Sequence, residues 1–171
     1  MIVRWFLALV VLLSAASGVQ GDPVQVPTTA DLQAVGQLAE QRGLPLLLVF
    51  TASHCSYCEL LESAILRPML ISGDYDDRVI IRKIELDGVA VRDFQGKIVD
   101  AGDYATRRDV FVTPTMLFVD GDGVELAERL IGINTVEMFS GLVEAALEEA
   151  SETLAARRQG AGPLARAQPT R

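Results

Sequence analysis

One continuous apolar run after Pro45, ending at Thr51, constrains the fold more than any other feature of this 171-residue sequence. The segment LPLLLVFT carries no charge, and such a run is typical of a strand that is buried on both faces of a sheet. A strand of this kind needs helices packed against both sides of its sheet. We therefore expect an α/β fold with this segment inside the sheet.

Helical and strand patterns alternate on either side of this run. Upstream, apolar residues recur at helical spacing between residues 32 and 39. Thr28 with Asp31 resembles a capping box, and Gly43 suits the end of that helix. Downstream, a second helical pattern covers residues 60–69, and the segment RVIIRKIELD is typical of a strand.

In the second half of the chain, the sequence pattern predicts an irregular connecting segment, or excursion, followed by strand, turn, strand and helix. The excursion is expected to contain a short hairpin around Gln95–Gly96, and DYATRRDVF indicates a short helix. Residues 113–132 have glycines in the turn between two strands. The final helix has Asn134 as its expected N-cap and an apolar stripe on one face. This order predicts a mixed central sheet flanked by helices.

The first 21 residues have the pattern of a secretory signal peptide. Arg4 gives a positive start, residues 5–13 are apolar, and small residues follow. Cleavage is expected after Gly18 or Gly21. The alternative is an uncleaved anchor, but the unbroken apolar run is much shorter than the ~20 residues of a membrane span. We expect export without a membrane span after cleavage, and the excess of arginine over lysine suits a bacterial periplasm.

Charge and composition argue against one class of partner and indicate a disordered C-terminal tail. The net charge of −8 argues against nucleic acid as a partner, because nucleic-acid binders carry basic patches. Residues 157–171 are rich in Arg, Ala, Gly and Pro, which is typical of a disordered tail. The expected divisions are a signal peptide at 1–21, one α/β domain at 22–156 and a tail at 157–171.

The only two cysteines form a Cys55-x-x-Cys58 pair directly after the buried strand and at the start of a helix. Three readings are open: a redox centre, part of a zinc site, or a structural clip. Structural zinc needs four ligands, and the only histidine, His54, adjoins Cys55 awkwardly. A clip across so small a loop removes little entropy from the unfolded chain. Redox chemistry is favoured, with no metal and no cofactor expected.

Placement at a helix start assigns different tasks to the two sulfurs. The unsatisfied N–H groups of a helix N-terminus favour a thiolate on Cys55, and the thiolate is the nucleophile. Cys58, three residues later on the same face, is expected within disulfide distance and further inside. Cys55 would attack a substrate disulfide, and Cys58 would resolve the mixed disulfide.

These segments resemble the thioredoxin superfamily. VFTASHCSYCELLE is similar to its active-site strand and helix, and VTPTMLFVDGDG to its proline loop and following turn. The resemblance covers roughly residues 44–154 and is nearest to exported thioredoxin-like proteins of the SoxW type. It implies a thioredoxin-like fold, a cis bond between Thr113 and Pro114, and a substrate-binding role for these two residues.

The sequence departs from typical thioredoxins around the cysteines. His54 replaces a tryptophan and is either a group that stabilises the thiolate or a surface residue, while Tyr57 between the cysteines is expected to face solvent or substrate. Val49 stands where typical thioredoxins have a buried aspartate. Glu85 is a candidate substitute for that acid, although solvent exposure is the simpler interpretation, and Lys83 is assigned no role.

The resemblance implies an exported thiol–disulfide oxidoreductase. Its substrates would be protein disulfides, and a membrane thiol transporter would be its electron donor. Two alternatives stay open: a disulfide isomerase or oxidase of the same fold, and a binding module that uses the fold without redox chemistry.

Overall fold

The computed structural model describes residues 24–160. The expected signal peptide and residues 161–171 of the expected tail lie outside the described part of the chain. Helix and strand bounds follow in chain order. They are α1 (Leu32–Arg42), β1 (Leu46–Thr51), α2 (Ser56–Leu61), a π-helical segment (Glu62–Leu66), α3 (Arg67–Ser72), β2 (Ile80–Glu85), β3 (Val91–Arg92), β4 (Ile98–Val99), α4 (Ala101–Arg107), β5 (Thr115–Val119), β6 (Leu130–Ile131) and α5 (Val136–Arg158).

Four strands form a mixed sheet in the order β2-β1-β5-β6. β1 runs parallel to β2 and antiparallel to β5, and β5 pairs antiparallel with β6. The apolar run of residues 46–51 is thus an internal strand, as predicted, and all six of its residues are buried. The predicted α/β fold with a mixed sheet is confirmed.

The sheet separates two apolar cores, and alternate residues of β1 enter each of them. Leu47 and Val49 pack with α2, α3 and α5, whereas Leu46, Leu48 and Phe50 pack with α1 and α4. All five side chains are fully buried. Because each contributes about 1.5–3 kcal/mol on burial, β1 is a main source of stability. It therefore offers a rigid base for the residues that follow it.

The start of α1 differs from the predicted capping box. Asp31, not Thr28, is the N-cap, and its carboxylate accepts a hydrogen bond from the backbone N–H of Ala34 at 2.9 Å. Thr28 instead forms a parallel bridge with Lys83, at the outer edge of β2. The segment before α1 is therefore extended along the sheet and unable to begin a helix. Gly43 ends α1 with a left-handed φ of 70°, as expected.

The excursion between β2 and β5 contains the predicted hairpin. β3 pairs with β4 across a turn in which Gly96 has a φ of 82°. The Asp93 carboxylate holds this turn by accepting hydrogen bonds from the backbone N–H groups of Gln95 and Lys97. The short helix α4 follows, and Asp100 caps it by accepting from the N–H of Asp103.

The last part of the chain departs from its expected pattern in two places. After the turn, the chain makes a single bridge between Glu125 and Val119 and then leaves the sheet. It pairs with β5 again only at Leu130–Ile131, so β6 has two residues. The N-cap of α5 is Thr135 rather than Asn134, and its side chain makes no capping hydrogen bond. α5 extends to Arg158. Among residues 24–160, no helix combines the length and apolar character needed to cross a membrane.

Candidate active site

The loop between β1 and α2 holds a strained backbone immediately before the first cysteine. His54 has a φ of 57°, in the left-handed region that residues other than glycine rarely adopt. The backbone N–H of Ser53 donates to both carboxylate oxygens of Asp87, each at 3.0 Å. Hydrogen bonds from the side chain and the backbone N–H of Ser53 lower the pKa of the Asp87 carboxyl. Asp87, from the turn after β2, thus holds the loop segment that leads into Cys55.

Cys55 and Cys58 form a disulfide at the beginning of α2. Their Cα atoms are 5.2 Å apart, within the range expected from their spacing. Cys55 is the N-cap, and its Sγ accepts a hydrogen bond from the backbone N–H of Cys58 at 3.2 Å. Cys55 is half-buried, whereas Cys58 is only 6% exposed. The sequence therefore predicted correctly which sulfur is the more accessible.

The loop before β5 lies against the disulfide. The bond between Thr113 and Pro114 is cis, as the resemblance implied. The Thr113 hydroxyl donates to Cys55 Sγ at 3.5 Å, and the Pro114 carbonyl accepts from the N–H of Gly132 at 2.8 Å. The structure thus brings four predicted site residues together, while the part that Thr113 and Pro114 play in substrate binding stays a prediction.

The two flanking candidates are exposed. Tyr57 is 59% exposed between the cysteines, and His54 also faces solvent. Both side chains are therefore accessible from solvent, and the roles expected of them stay predictions. Among residues 24–160, no group of three or more Cys, His, Asp or Glu side chains is arranged to hold a metal ion.

A pocket of about 210 Å³ opens beside the disulfide. It is lined on one side by the loop of residues 51–55 with Cys58, and on the other by Glu62, Lys83 and Glu85. Val49, from the adjacent strand, is fully buried and pairs with Lys83 across β1 and β2. The strand position that holds an acid in typical thioredoxins is therefore apolar here.

The carboxylate nearest to Lys83 comes from the helix side. Lys83 Nζ lies 3.2 Å from Glu62 Oε2 and 3.7 Å from Glu85 Oε1. Burial raises the pKa of Glu62, but the hydrogen bond and charge of Lys83, with hydrogen bonds from the Val26 backbone and from Arg67, together outweigh it, so the pKa is lowered overall. Glu85, the acid suggested by the sequence, is half-exposed. Glu62 is thus the ionised partner that Lys83 lacked in the sequence interpretation.

Sequence reasoning missed two residues of this site, Asp87 and Glu62. Asp87 lies 34 positions from Ser53, and no local motif connects them. Glu62 is four residues after Cys58, one helical turn away, so its spacing was a usable signal.

A disulfide at a helix start, facing a cis-proline loop on a mixed α/β sheet, defines the thioredoxin-fold class of proteins. The sequence also matches one protein family, described as a thioredoxin-like domain, over residues 32–147. This is more than half of the chain, and the protein belongs to the thioredoxin-like domain family.

Several solved thioredoxins are similar to this chain. Thioredoxin O2 from Arabidopsis thaliana is 21% identical, with 70% of this chain and 93% of that chain covered and a TM-score of 0.48. Mitochondrial thioredoxin 3 from Saccharomyces cerevisiae is 22% identical, with 70% and 94% covered and a TM-score of 0.47. A poplar thioredoxin h is 20% identical, with 66% and 85% covered and a TM-score of 0.47. Among proteins with curated descriptions, none matches significantly.

Proposed function

We propose that this protein is an exported thiol–disulfide oxidoreductase of the SoxW type that reduces disulfides in other proteins. The single observation that carries the proposal is the unequal exposure of the two bonded sulfurs. Cys55 is half-buried and accepts hydrogen bonds from an N–H group and a hydroxyl, whereas Cys58 is almost fully enclosed. A substrate can therefore reach the sulfur of Cys55, whereas the sulfur of Cys58 is enclosed by the protein.

The reaction begins with the reduced dithiol. The Cys55 thiolate attacks one sulfur of a substrate disulfide, forms a mixed disulfide and releases a substrate thiolate, which takes up a proton. Cys58 then loses its proton and attacks Cys55 Sγ. The Cys55–Cys58 bond forms, the second substrate thiolate leaves, and two electrons have passed to the substrate. The product is the disulfide form of the protein.

The cis-proline loop is suited to hold the substrate during these steps. In this class of fold, the backbone beside the cysteines pairs with an extended substrate chain, as in strand addition. Phe111 and Val112, immediately before Thr113, are 73% and 52% exposed. These apolar side chains and the backbone around Thr113 would bind a peptide with little sequence preference.

The cycle needs a thiol donor to reduce the Cys55–Cys58 disulfide again. We assign this task to a membrane thiol transporter, on the basis of the resemblance to exported proteins of the SoxW type. Residues 1–21 support export, because they have the order of a signal peptide. Expression of the full chain in a bacterium tests this point. A periplasmic product beginning at residue 19 or 22 supports it, and a cytosolic product with an intact N-terminus contradicts it.

The reduction potential tests the direction of electron flow. Potentials in this fold class run from about −270 mV for reductases to about −120 mV for strong oxidants. We expect a value near the reducing end when the protein is equilibrated with glutathione. With dithiothreitol as the donor, the protein should also accelerate the reduction of insulin, and Cys55→Ser should abolish that acceleration. If the wild type accelerates insulin reduction no more than Cys55→Ser does, the binding module is the favoured alternative.

An oxidase or isomerase is the second candidate, and one local feature favours it. Two groups close to Cys55 stabilise a thiolate, the Cys58 N–H and the Thr113 hydroxyl, and His54 in the preceding position is the third candidate. Stabilising the thiolate makes the disulfide a stronger oxidant. A potential near −120 mV that falls in His54→Ala would establish this candidate and exclude the reductase.

A further inference from the structure

The loop that carries Thr113 is fixed at several points. This loop, residues 109–114, connects α4 to β5. At its start, the buried Val110 donates its backbone N–H to the carbonyl of Ala105 at 2.9 Å. At its end, the Thr115 hydroxyl donates to the carbonyl of Val112 at 2.8 Å, and Gly132 donates to the carbonyl of Pro114. Three of its contacts are thus made by its own neighbours or by the residue after β6.

A fourth contact comes from Arg129, immediately before β6. Arg129 Nη1 donates to the carbonyl oxygens of Arg108 at 2.8 Å and of Asp109 at 3.1 Å. Arg108 ends α4, and the last carbonyls of a helix have no partner within it. Asp109 has a left-handed φ of 55°, which is unfavourable for a residue with a side chain. Arg129 therefore stabilises the left-handed turn at the start of the loop.

The guanidinium group of Arg129 is itself held in place. Glu125 receives it with both carboxylate oxygens, at 3.3 Å from Nε and 2.5 Å from Nη2. This two-point arrangement fixes the plane of the guanidinium and not only its position. The Arg129 side chain is 23% exposed. Nε and Nη2 of the guanidinium thus bind the Glu125 carboxylate, while Nη1 binds the loop.

The two ends of the loop are therefore anchored on one short segment, residues 129–132. Arg129 holds the carbonyls at its start, and Gly132 holds the Pro114 carbonyl at its end. We propose that Arg129 is a positioning residue that, by holding the start of the loop, sets the contact between the Thr113 hydroxyl and Cys55 Sγ. This inference rests on the proposed function, and Arg129 itself touches neither cysteine nor substrate.

The effect of losing Arg129 follows from this geometry. In Arg129→Ala the loop start loses one restraint, while the bond from the Val110 N–H and the pair between Arg108 and Glu125 at 3.6 Å remain. The Thr113 hydroxyl is then held less firmly against the Cys55 thiolate. We expect the equilibrium constant with glutathione to move toward the oxidised protein by about three- to tenfold, the range of one hydrogen bond. The kcat/KM for insulin reduction should fall about tenfold, because small displacements of positioning groups are costly. Arg129→Lys should be intermediate, since an ammonium group lacks the planar fork.

Arg157 provides a matched control. It donates to Asp120 Oδ2 at 2.8 Å and to the carbonyl of Glu125 at 3.0 Å, and its side chain is 29% exposed. It braces the same turn but makes no hydrogen bond to residues 109–114. Arg157→Ala should therefore lower thermal stability without changing the equilibrium with glutathione.

The experiment compares the glutathione equilibrium of the full-length wild type, Arg129→Ala, Arg129→Lys and Arg157→Ala. A shift toward the oxidised protein in the Arg129 variants alone supports the inference, and a shift toward the reduced protein contradicts it. Equal values for the wild type and a folded Arg129→Ala overturn it, as does an equal shift in Arg157→Ala. If Arg129→Ala does not fold, Arg129→Lys decides by the same criterion. The measurement needs no protein substrate, so a wild type that fails to reduce insulin refutes the proposed function and leaves the Arg129 result to be judged separately.

Discussion

The Thr113 hydroxyl donates a hydrogen bond to the sulfur of Cys55 across 58 positions of sequence, at 3.5 Å. The contact joins the cis-proline loop to the more accessible of the two bonded sulfurs. A hydroxyl bonds more strongly to a thiolate than to a neutral disulfide sulfur, because charge strengthens a hydrogen bond. The contact therefore favours the reduced protein over the oxidised protein.

Replacing Thr113 with valine should make the reduction potential more negative. Valine keeps the branched shape and removes the donor, so the reduced form loses one hydrogen bond worth about 0.5–1.5 kcal/mol. This corresponds to about 10–30 mV, measured by equilibration with glutathione. Thr106→Val is the matched control, because the Thr106 hydroxyl bonds only to the Gly102 carbonyl on α4. An unchanged potential in Thr113→Val would show that the hydroxyl does not act on the sulfur.

The two cysteines should behave differently when one is removed. In Cys58→Ser the accessible Cys55 remains and no resolving thiol is present, so a mixed disulfide with substrate should accumulate. In Cys55→Ser the remaining thiol is buried and should form almost none. Non-reducing electrophoresis after mixing with an oxidised protein substrate measures both. Accumulation in Cys55→Ser instead of Cys58→Ser would reverse the assignment of nucleophile and resolving residue.

The Glu62–Lys83 pair predicts part of the acid sensitivity of folding. The pKa of Glu62 is lowered in the folded protein from 4.5. A carboxyl with a lowered folded pKa stabilises the protein above its unfolded pKa, and this contribution is lost as the pH falls through the folded value. Glu62→Gln should therefore lower the urea midpoint at pH 7 and flatten its decline below about pH 4.5.

A matched control for this prediction is Glu85→Gln, which changes the more exposed of the two carboxylates beside Lys83. It should follow the wild-type curve closely, since exposed ion pairs contribute only about 0–1 kcal/mol. Superimposable acid limbs in the wild type and Glu62→Gln would contradict the assignment.

Restoring an acid at the strand position should be harmful in this chain. Val49 is fully buried between Lys83 and Met116 on the neighbouring strands, and the charge of Lys83 is already paired with Glu62. Val49→Asp should cost about 3 kcal/mol or more in free energy of unfolding at pH 7. Burial would raise the pKa of the new carboxyl, so the loss should shrink as the pH falls.

Val49→Asn separates the effect of charge from that of polarity. It should be less destabilising than Val49→Asp at pH 7 and should show little dependence on pH, because its amide does not titrate. Urea unfolding at pH 7 and pH 5 measures both variants. Equal stability of the two variants at pH 7 would mean that Lys83 accommodates a second carboxylate.

The elements with strong local patterns were predictable from the sequence. The apolar run of β1, the hairpin at Gln95–Gly96 and the cysteine pair at the helix start each follow from residues close together in the chain. The helix caps were less predictable from the sequence. Thr28 and Asn134 satisfy the local capping rules, but Thr28 is drawn into a bridge with Lys83, and the helix after Asn134 begins one residue later.

The rest of the site depends on contacts between distant residues. Asp87 reaches Ser53 from the turn after β2, and Arg129 reaches Arg108 from beyond the next turn, 21 positions away. A charged side chain in a turn is ordinary in sequence, and its partner is decided only when the sheet brings the turns together. Glu62 is the exception, because its spacing from Cys58 is helical.

The hydrogen bond from the Cys58 N–H to Cys55 Sγ places a spectroscopic reporter inside the reaction centre. Its acceptor atom is the one that changes from disulfide to thiolate to mixed disulfide during the proposed cycle. The amide proton of Cys58 should therefore have a different chemical shift in each of these three states. The intensities of these three peaks would then record what fraction of the protein is in each state during turnover.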